Sequence, residues 1–201
     1  MNLNTDLRGA SPNTVLGREA ELEILRHAYE SVKAGSPALV QIAGRSGAGK
    51  TALVRKFFED IAVERPFIIF GKHEQHSEGI PYRGFSEAVR YAAYQILSVE
   101  KSALTRWKRR IEKALKENVP VISGLVSEFE HLFPGRRTQA LQDPEKSKNR
   151  FENAFTGLVS VFASAEAPFV FFLDDLQWTD PASLNLIKQT AAKMPLQAAA
   201  F

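Results

Sequence analysis

An α/β fold built on a parallel sheet is predicted by three features of this sequence. Residues 38–43, ALVQIA, form a short apolar run of the length a buried strand needs, followed by a glycine-rich loop and the helical-looking TALVRKFFEDIAV. A second apolar run, Phe67–Phe70, follows the break at Pro66. A third, PFVFFLDD at 168–175, stays apolar until it ends in two carboxylates. Unbroken runs of this kind belong to strands buried on both faces of a parallel sheet.

Residues 1–13 are polar, contain a Ser-Pro pair and read as a flexible lead-in, which leaves 14–201 as one domain. In the segment that follows, Leu22, Leu25, Tyr29 and Val32 fall at helical spacing, and Gly35 with Pro37 supplies a stop. This helix delivers the chain into the first strand. The loop after it, Gly44, Arg45, Ser46, Gly47, Ala48, Gly49, leads into Lys50-Thr51 and matches G-x-x-x-x-G-K-[ST]. Gly44, Gly47 and Gly49 let the backbone curl so that successive N–H groups point inward at phosphate oxygens. Lys50 reaches the β- and γ-phosphates, the Thr51 hydroxyl is placed to hold Mg²⁺, and the helix opening at Lys50 adds its positive end beneath the anion. Outside a strand–loop–helix context the same letters would be an ordinary glycine-rich loop. Here that context is present.

After the second strand, HEQHSEGIP reads as a surface loop; His73 and His76 suggest a metal pair, but no third ligand follows at sensible spacing. The region 82–165 reads as a helical insertion, with Val89, Ala92, Ala93 and Ile96 marking one face. Residues 101–116 hold seven Lys or Arg against one Glu, with Leu104, Trp107, Ile111 and Leu115 at helical spacing. Such a helix can touch nucleic acid, a membrane or an acidic partner; the favoured reading is a docked helix with a solvated basic face. A loop spans 134–144, and a further helix from about Ser147 buries Phe151, Phe155, Leu158 and Phe162. At the end of the third strand Asp174 is placed to help hold Mg²⁺ as the acidic partner of Thr51, and Asp175 to orient or deprotonate the attacking water. Asp180 caps a helix with Pro181 at its first position, and Pro195 ends it.

Composition narrows the classes. At 201 residues with 44% hydrophobic and 24% charged residues, the chain is globular and can bury a core. The absence of cysteine excludes disulfides, Cys-ligated metals and a Cys nucleophile, and fits a reducing compartment. No apolar run approaches the ~18 residues needed to cross a bilayer. MNLNTDLRGASPN lacks the apolar stretch of a secretory signal, so a cytoplasmic location is expected. A net charge of +3 does not by itself point to nucleic acid.

The lead-in Leu16-Gly17-Arg18-Glu19, followed by Glu21, resembles the hydrophobic-Gly-Arg-Glu motif that precedes the phosphate loop of AAA+-like and STAND signalling ATPases. The resemblance implies that Leu16, Gly17 and Arg18 pack beside the adenine; read without it, the motif is a helix start. Asp174-Asp175-Leu176-Gln177-Trp178-Thr179-Asp180 is similar to the Walker B segment of STAND-type modules. Together with GKHEQHSEGIPYRGF, the Trp107 helix and Asn149-Arg150-Phe151, it resembles the ATPase module of large multi-domain sensor hybrid kinases, a module that also occurs beside cyclases and transcription regulators. The resemblance covers about residues 14–194. It implies a P-loop NTPase three-layer parallel sheet of the ASCE/AAA+ kind, with the helical insertion before the Walker B strand.

It also implies ATP and Mg²⁺ as cofactors, Lys50, Asp174 and Asp175 as catalytic residues, and effector domains on the same longer chain, with self-association left open. The implied function is an ATP-binding nucleotide switch in signal transduction, with slow hydrolysis. Two alternatives are a nucleic-acid-associated, replication-initiator-like AAA+ ATPase contacting its target through 101–116, and a non-catalytic interaction scaffold. In the resembling proteins a strand after the Walker B helix inserts between the phosphate-loop strand and the Walker B strand. The tail MPLQAAAF reads as lacking it. The sheet is therefore expected to be incomplete at the C-terminus, the chain a truncated piece, and its Mg-ATP binding or folding poor in isolation.

Overall fold

A computed structural model describes residues 17–74, 81–136, 144–163, 167–191 and 196–200. They fall into two compact units, one of the described residues up to Pro66 with those from Ile187 onward, the other of those between Phe67 and Leu186.

The first unit opens with helix α1, Glu19–Lys33. Leu22, Leu25, Ala28 and Tyr29 are buried along one side, at the spacing read from the sequence, while Val32 is half-buried. The expected stop is realised at Gly35, whose φ of +87° lets its N–H reach Val32 and the next N–H reach Ser31, satisfying the last carbonyls of the helix. Strand β1, Leu39–Ala43, follows, then helix α2, Lys50–Ile61, which buries Leu53, Val54, Phe57, Phe58 and Ile61. The Tyr29 ring meets Phe57 edge-on at 6.1 Å, so the two helices share one apolar seam.

At the edge of that seam Arg26 and Lys56 converge on Asp60, at 2.5 and 2.6 Å. Partial burial alone would raise the Asp60 pKa, but the hydrogen bonds from Lys56 and Arg26 outweigh it and hold it below the usual carboxylate value. A carboxylate with a lowered folded pKa stabilises above its unfolded value and stops doing so as pH falls through the folded one. Asp60→Asn is therefore expected to cost about 0.5 kcal/mol at pH 7 and low salt, the gap closing below about pH 4, as read by urea unfolding.

Strand β4, Leu196–Ala200, runs parallel to β1, with Leu39 opposite Leu196 through to Ala43 opposite Ala200. This corrects the expectation that the tail carries no strand after the Walker B helix. Ala is a weak strand former and Leu-Gln-Ala-Ala-Ala lacks β-branched residues, so pairing rather than propensity decides this strand. The expected stop at Pro195 lies outside the described residues.

The second unit is built on β2, Phe67–Lys72, and β3, Phe169–Asp174, parallel and in register from Phe67 opposite Phe169 to Lys72 opposite Asp174. Each residue of β3 is half-buried rather than buried on both faces, since β2 is its one strand neighbour within the unit. Between them lie α3, Arg83–Leu97, α4, Lys101–Leu115, α5, Val119–Leu125, α6, Ser127–Leu132, and α7, Pro144–Ala163. The protein is thus mostly helical, with two small parallel strand pairs. Of the loop expected at 134–144, residues 137–143 lie outside the described residues.

Helix α3 lies directly on β2, with Ala88, Val89, Ala92, Ala93 and Ile96 at zero exposure. The approach is possible because two glycines face each other: a β-carbon on Gly71 would sit 2.2 Å from the Gly84 carbonyl oxygen. The expected face of α7, Phe151, Phe155, Leu158 and Phe162, is buried. Phe162 and Trp107 stack on Phe67 at 5.0 and 5.2 Å, which fastens α4 and α7 to the first residue of β2. The basic helix is therefore docked by its apolar side, the reading favoured from sequence.

His73 does not lie on a surface loop. It is 2% exposed, with its ring packed on the bare backbone of Gly84, and its metal-pair companion His76 lies outside the described residues. The apolar wall left by the two glycines accounts for the burial.

Candidate functional site

In the first unit, Gly47 and Gly49 stand at φ of +80° and +86°, a region open to glycine but strained for other residues, and the space a β-carbon would fill is empty at both. Gly49 is the residue before α2, and no side chain caps that helix. The first-turn N–H groups, Thr51 among them, thus have no side-chain acceptor and can serve an anion. Lys50 folds back so that its ammonium donates to the carbonyls of Gly44 at 2.9 Å and Arg45 at 3.0 Å. The Ala48 N–H closes a turn onto Arg45 at 3.1 Å. Loop and lysine together bring two positive charges, Arg45 and Lys50, to the uncapped start of α2, which suits a polyphosphate.

Arg18 joins this group. Its guanidinium donates to Glu21 at 3.0 Å and to the Ala48 carbonyl at 3.4 Å, so the Gly-Arg-Glu lead-in is tied to the phosphate loop across thirty residues of sequence. Gly17 takes a φ of +72°, turning the chain into α1; Leu16 lies outside the described residues.

The carboxylates lie in the second unit. Asp174 ends β3, and its Oδ1 accepts the Asp175 N–H at 2.9 Å. Asp175 adopts the left-handed conformation, φ 56° and ψ 44°, which Asp tolerates better than most side chains, and it opens the 3₁₀ turn Leu176–Trp178. Its carboxylate faces the Lys72 ammonium at 3.7 Å and accepts the Gln177 amide at 2.9 Å. Asp180 caps helix α8, Pro181–Ala191, as expected: it accepts the Ser183 N–H at 2.9 Å and hydroxyl at 2.5 Å, and also the Tyr82 N–H at 3.2 Å. The Tyr82 hydroxyl in turn donates to Glu152 at 3.0 Å, and its ring stacks 4.1 Å from Phe151. Burial pushes the Tyr82 phenol well above its ordinary pKa, with Glu152 adding to the shift.

Sequence reasoning missed Lys72, Gln177 and the burial of His73. Lys72 was legible in one respect: it ends an apolar strand parallel to β3, and parallel strands deliver their last residues to the same side. The His73 N–H donates to the Asp174 carbonyl at 3.2 Å; burial lowers the imidazole pKa, while the charges of Asp180 and Asp175 oppose that shift without reversing it. The structure brings Arg18, Ala48, Lys50, Gly44 and Arg45 together in one unit, and Asp174, Asp175, Lys72 and Gln177 in the other.

A family model, the AAA ATPase domain, matches residues 14–199. The chain belongs to that family. As an AAA ATPase domain it is a nucleotide-binding module. It is 33% identical over 177 residues to hybrid signal transduction histidine kinase G of Dictyostelium discoideum, covering 88% of this chain and 5% of that relative. It is also 23% identical over 198 residues to uncharacterized protein R02095 of Rhizobium meliloti (strain 1021), covering 94% of this chain and 18% of that relative. The AAA ATPase domain thus spans a small part of both relatives. No solved structure matches it. Among the described residues no helix is long and apolar enough to cross a membrane, and no cluster of three metal-ligating side chains occurs.

Proposed function

We propose that this AAA ATPase domain binds Mg-ATP in its phosphate loop and works as a nucleotide switch within a longer signalling protein, hydrolysing ATP slowly. The observation that carries the reading is the loop itself: left-handed Gly47 and Gly49, an uncapped helix start, and Lys50 held over Gly44 and Arg45. The printed name of the Dictyostelium relative supports the signalling context, with the effector on the same longer chain. The three-layer sheet of P-loop NTPases is the proposed architecture, and β4 beside β1 is the pairing expected on one side of the inserted strand.

In this reading the loop N–H groups and Lys50 hold the β- and γ-phosphates, and Arg18 with Gly17 and Leu16 borders the adenine side. Thr51 and Asp174 are assigned to Mg²⁺, Asp174 directly or through water. Bound Mg²⁺ neutralises phosphate charge and draws electrons from the transferred group. Asp175 orients or deprotonates the attacking water, and Lys72 and Gln177 fix its carboxylate. A switch needs differential affinity for two conformations more than fast turnover.

The test is thermal unfolding of the chain with and without Mg-ATP, beside Lys50→Ala. Saturation at ~100 times the dissociation constant adds ~2.7 kcal/mol, which for a domain of this size is a rise of about 5–10 °C. The poor binding expected of a tail without a strand gives way to the pairing of β4 with β1, so the parent is expected to shift and Lys50→Ala not to. No shift in the parent overturns the reading.

A further inference from the structure

Helix α4 leaves a strip of charge with no counterpart. Arg106, Arg109 and Lys113 recur at three- and four-residue spacing, are all exposed, and form no ion pair among the described residues. Exposed cations elsewhere, Arg26, Lys33, Lys72, Arg90 and Arg136 among them, each hold a carboxylate. The one acid within α4, Glu112, is met by Arg136 at 3.7 Å, which removes it as a partner for the strip. Lys101 and Lys116 extend the charge at the two ends, where Glu100 and Glu117 also lie.

The chemistry of the strip selects its occupant. The apolar side of α4 is spent on Phe67 and Phe162 through Trp107, and Ile111 and Leu115 are buried, so this helix cannot lay an apolar face into lipid. None of the large hydrophobic residues exposed on the described surface belongs to 101–116. Protein interfaces are anchored by aromatic and Arg side chains seated together in desolvated pockets, and the strip offers no aromatic residue beside its arginines. A row of unpaired cations with no apolar anchor suits a regular line of phosphates, which binds by releasing counterions and needs no pocket.

We propose that the Arg106–Arg109–Lys113 strip is a docking surface for the phosphate backbone of duplex nucleic acid, without sequence preference. The interaction is independent of the nucleotide site and requires no ATP.

The test titrates the chain, nucleotide absent, onto a labelled 20-base-pair DNA duplex between 50 and 200 mM salt. Contact with three to five phosphates gives a slope of log affinity against log salt of about −2.7 to −4.5. The triple variant Arg106→Gln, Arg109→Gln, Lys113→Gln is expected to weaken binding at least about thirtyfold at the lowest salt and to flatten the slope. All three side chains are exposed, so the variant should keep the parent's melting temperature and its response to Mg-ATP, which separates a failure here from a failure of the nucleotide reading. Absence of binding at 50 mM salt overturns the proposal, as does binding that the triple variant leaves unchanged. Poly-glutamate binding as tightly as the duplex also overturns it, in favour of an acidic protein partner.

Discussion

Asp175→Asn is expected to lower ATP hydrolysis by about 10²–10⁴-fold while leaving Mg-ATP affinity within about threefold. The substitution removes the base and its charge but keeps the local backbone. Asn tolerates the left-handed conformation at φ 56° as Asp does, and an amide oxygen can still accept the Gln177 amide at the position of Asp175 Oδ1. Asp175→Ala would confound chemistry with backbone strain and is the poorer test. Phosphate release and nucleotide titration on the same preparation check the prediction. Comparable losses in both would make Asp175 a structural residue whose charge holds Lys72.

The largest stability effect is expected at Gly71. An alanine there meets the Gly84 carbonyl oxygen at 2.2 Å and Leu173 at 2.9 Å, so α3 must lift from β2, at a cost of about 3 kcal/mol or more. Gly84→Ala also clashes, but with the His73 ring at 2.6 Å. The obstacles differ in kind. A side chain can be trimmed and a carbonyl cannot, so His73→Ala should recover much of the loss in Gly84→Ala and none of it in Gly71→Ala. Urea unfolding of the three single and two double variants measures the coupling. Equal rescue of both would mean that the His73 ring, not the Gly84 carbonyl, sets the spacing.

The parts of the fold legible in the sequence were those governed by local pattern. Gly35 stops α1 because the left-handed cap needs glycine, and Asp180-Pro181 starts α8 because cap and first position are local choices. The glycine-rich turn into α2 was legible for the same reason: left-handed Gly47 and Gly49 and the helix start after them are set by consecutive residues. Pairing across distance was not. Leu-Gln-Ala-Ala-Ala becomes a strand because β1 lies beside it, and nothing within five residues announces that. His73 is buried because Gly84, eleven residues on, has no side chain. Lys72 and Gln177 reach Asp175 through a register that only the paired strands define. The carboxylates of the site could be named from sequence; the cation and amide that hold Asp175 could not.

The pairing of β1 with β4 has a consequence for how the chain is made. Leu39 and its partner Leu196 are 157 residues apart (196 − 39), against 102 (169 − 67) for Phe67 and Phe169. At ribosomal rates β1 waits roughly 8 to 30 s for β4, the strand it pairs with. The strand pair and helices of the second unit are synthesised within that interval and can form first, since their contacts close shorter loops. The glycine-rich loop therefore rests on a strand made after the other three described ones, and that backbone edge of β1 stays open until β4 is made.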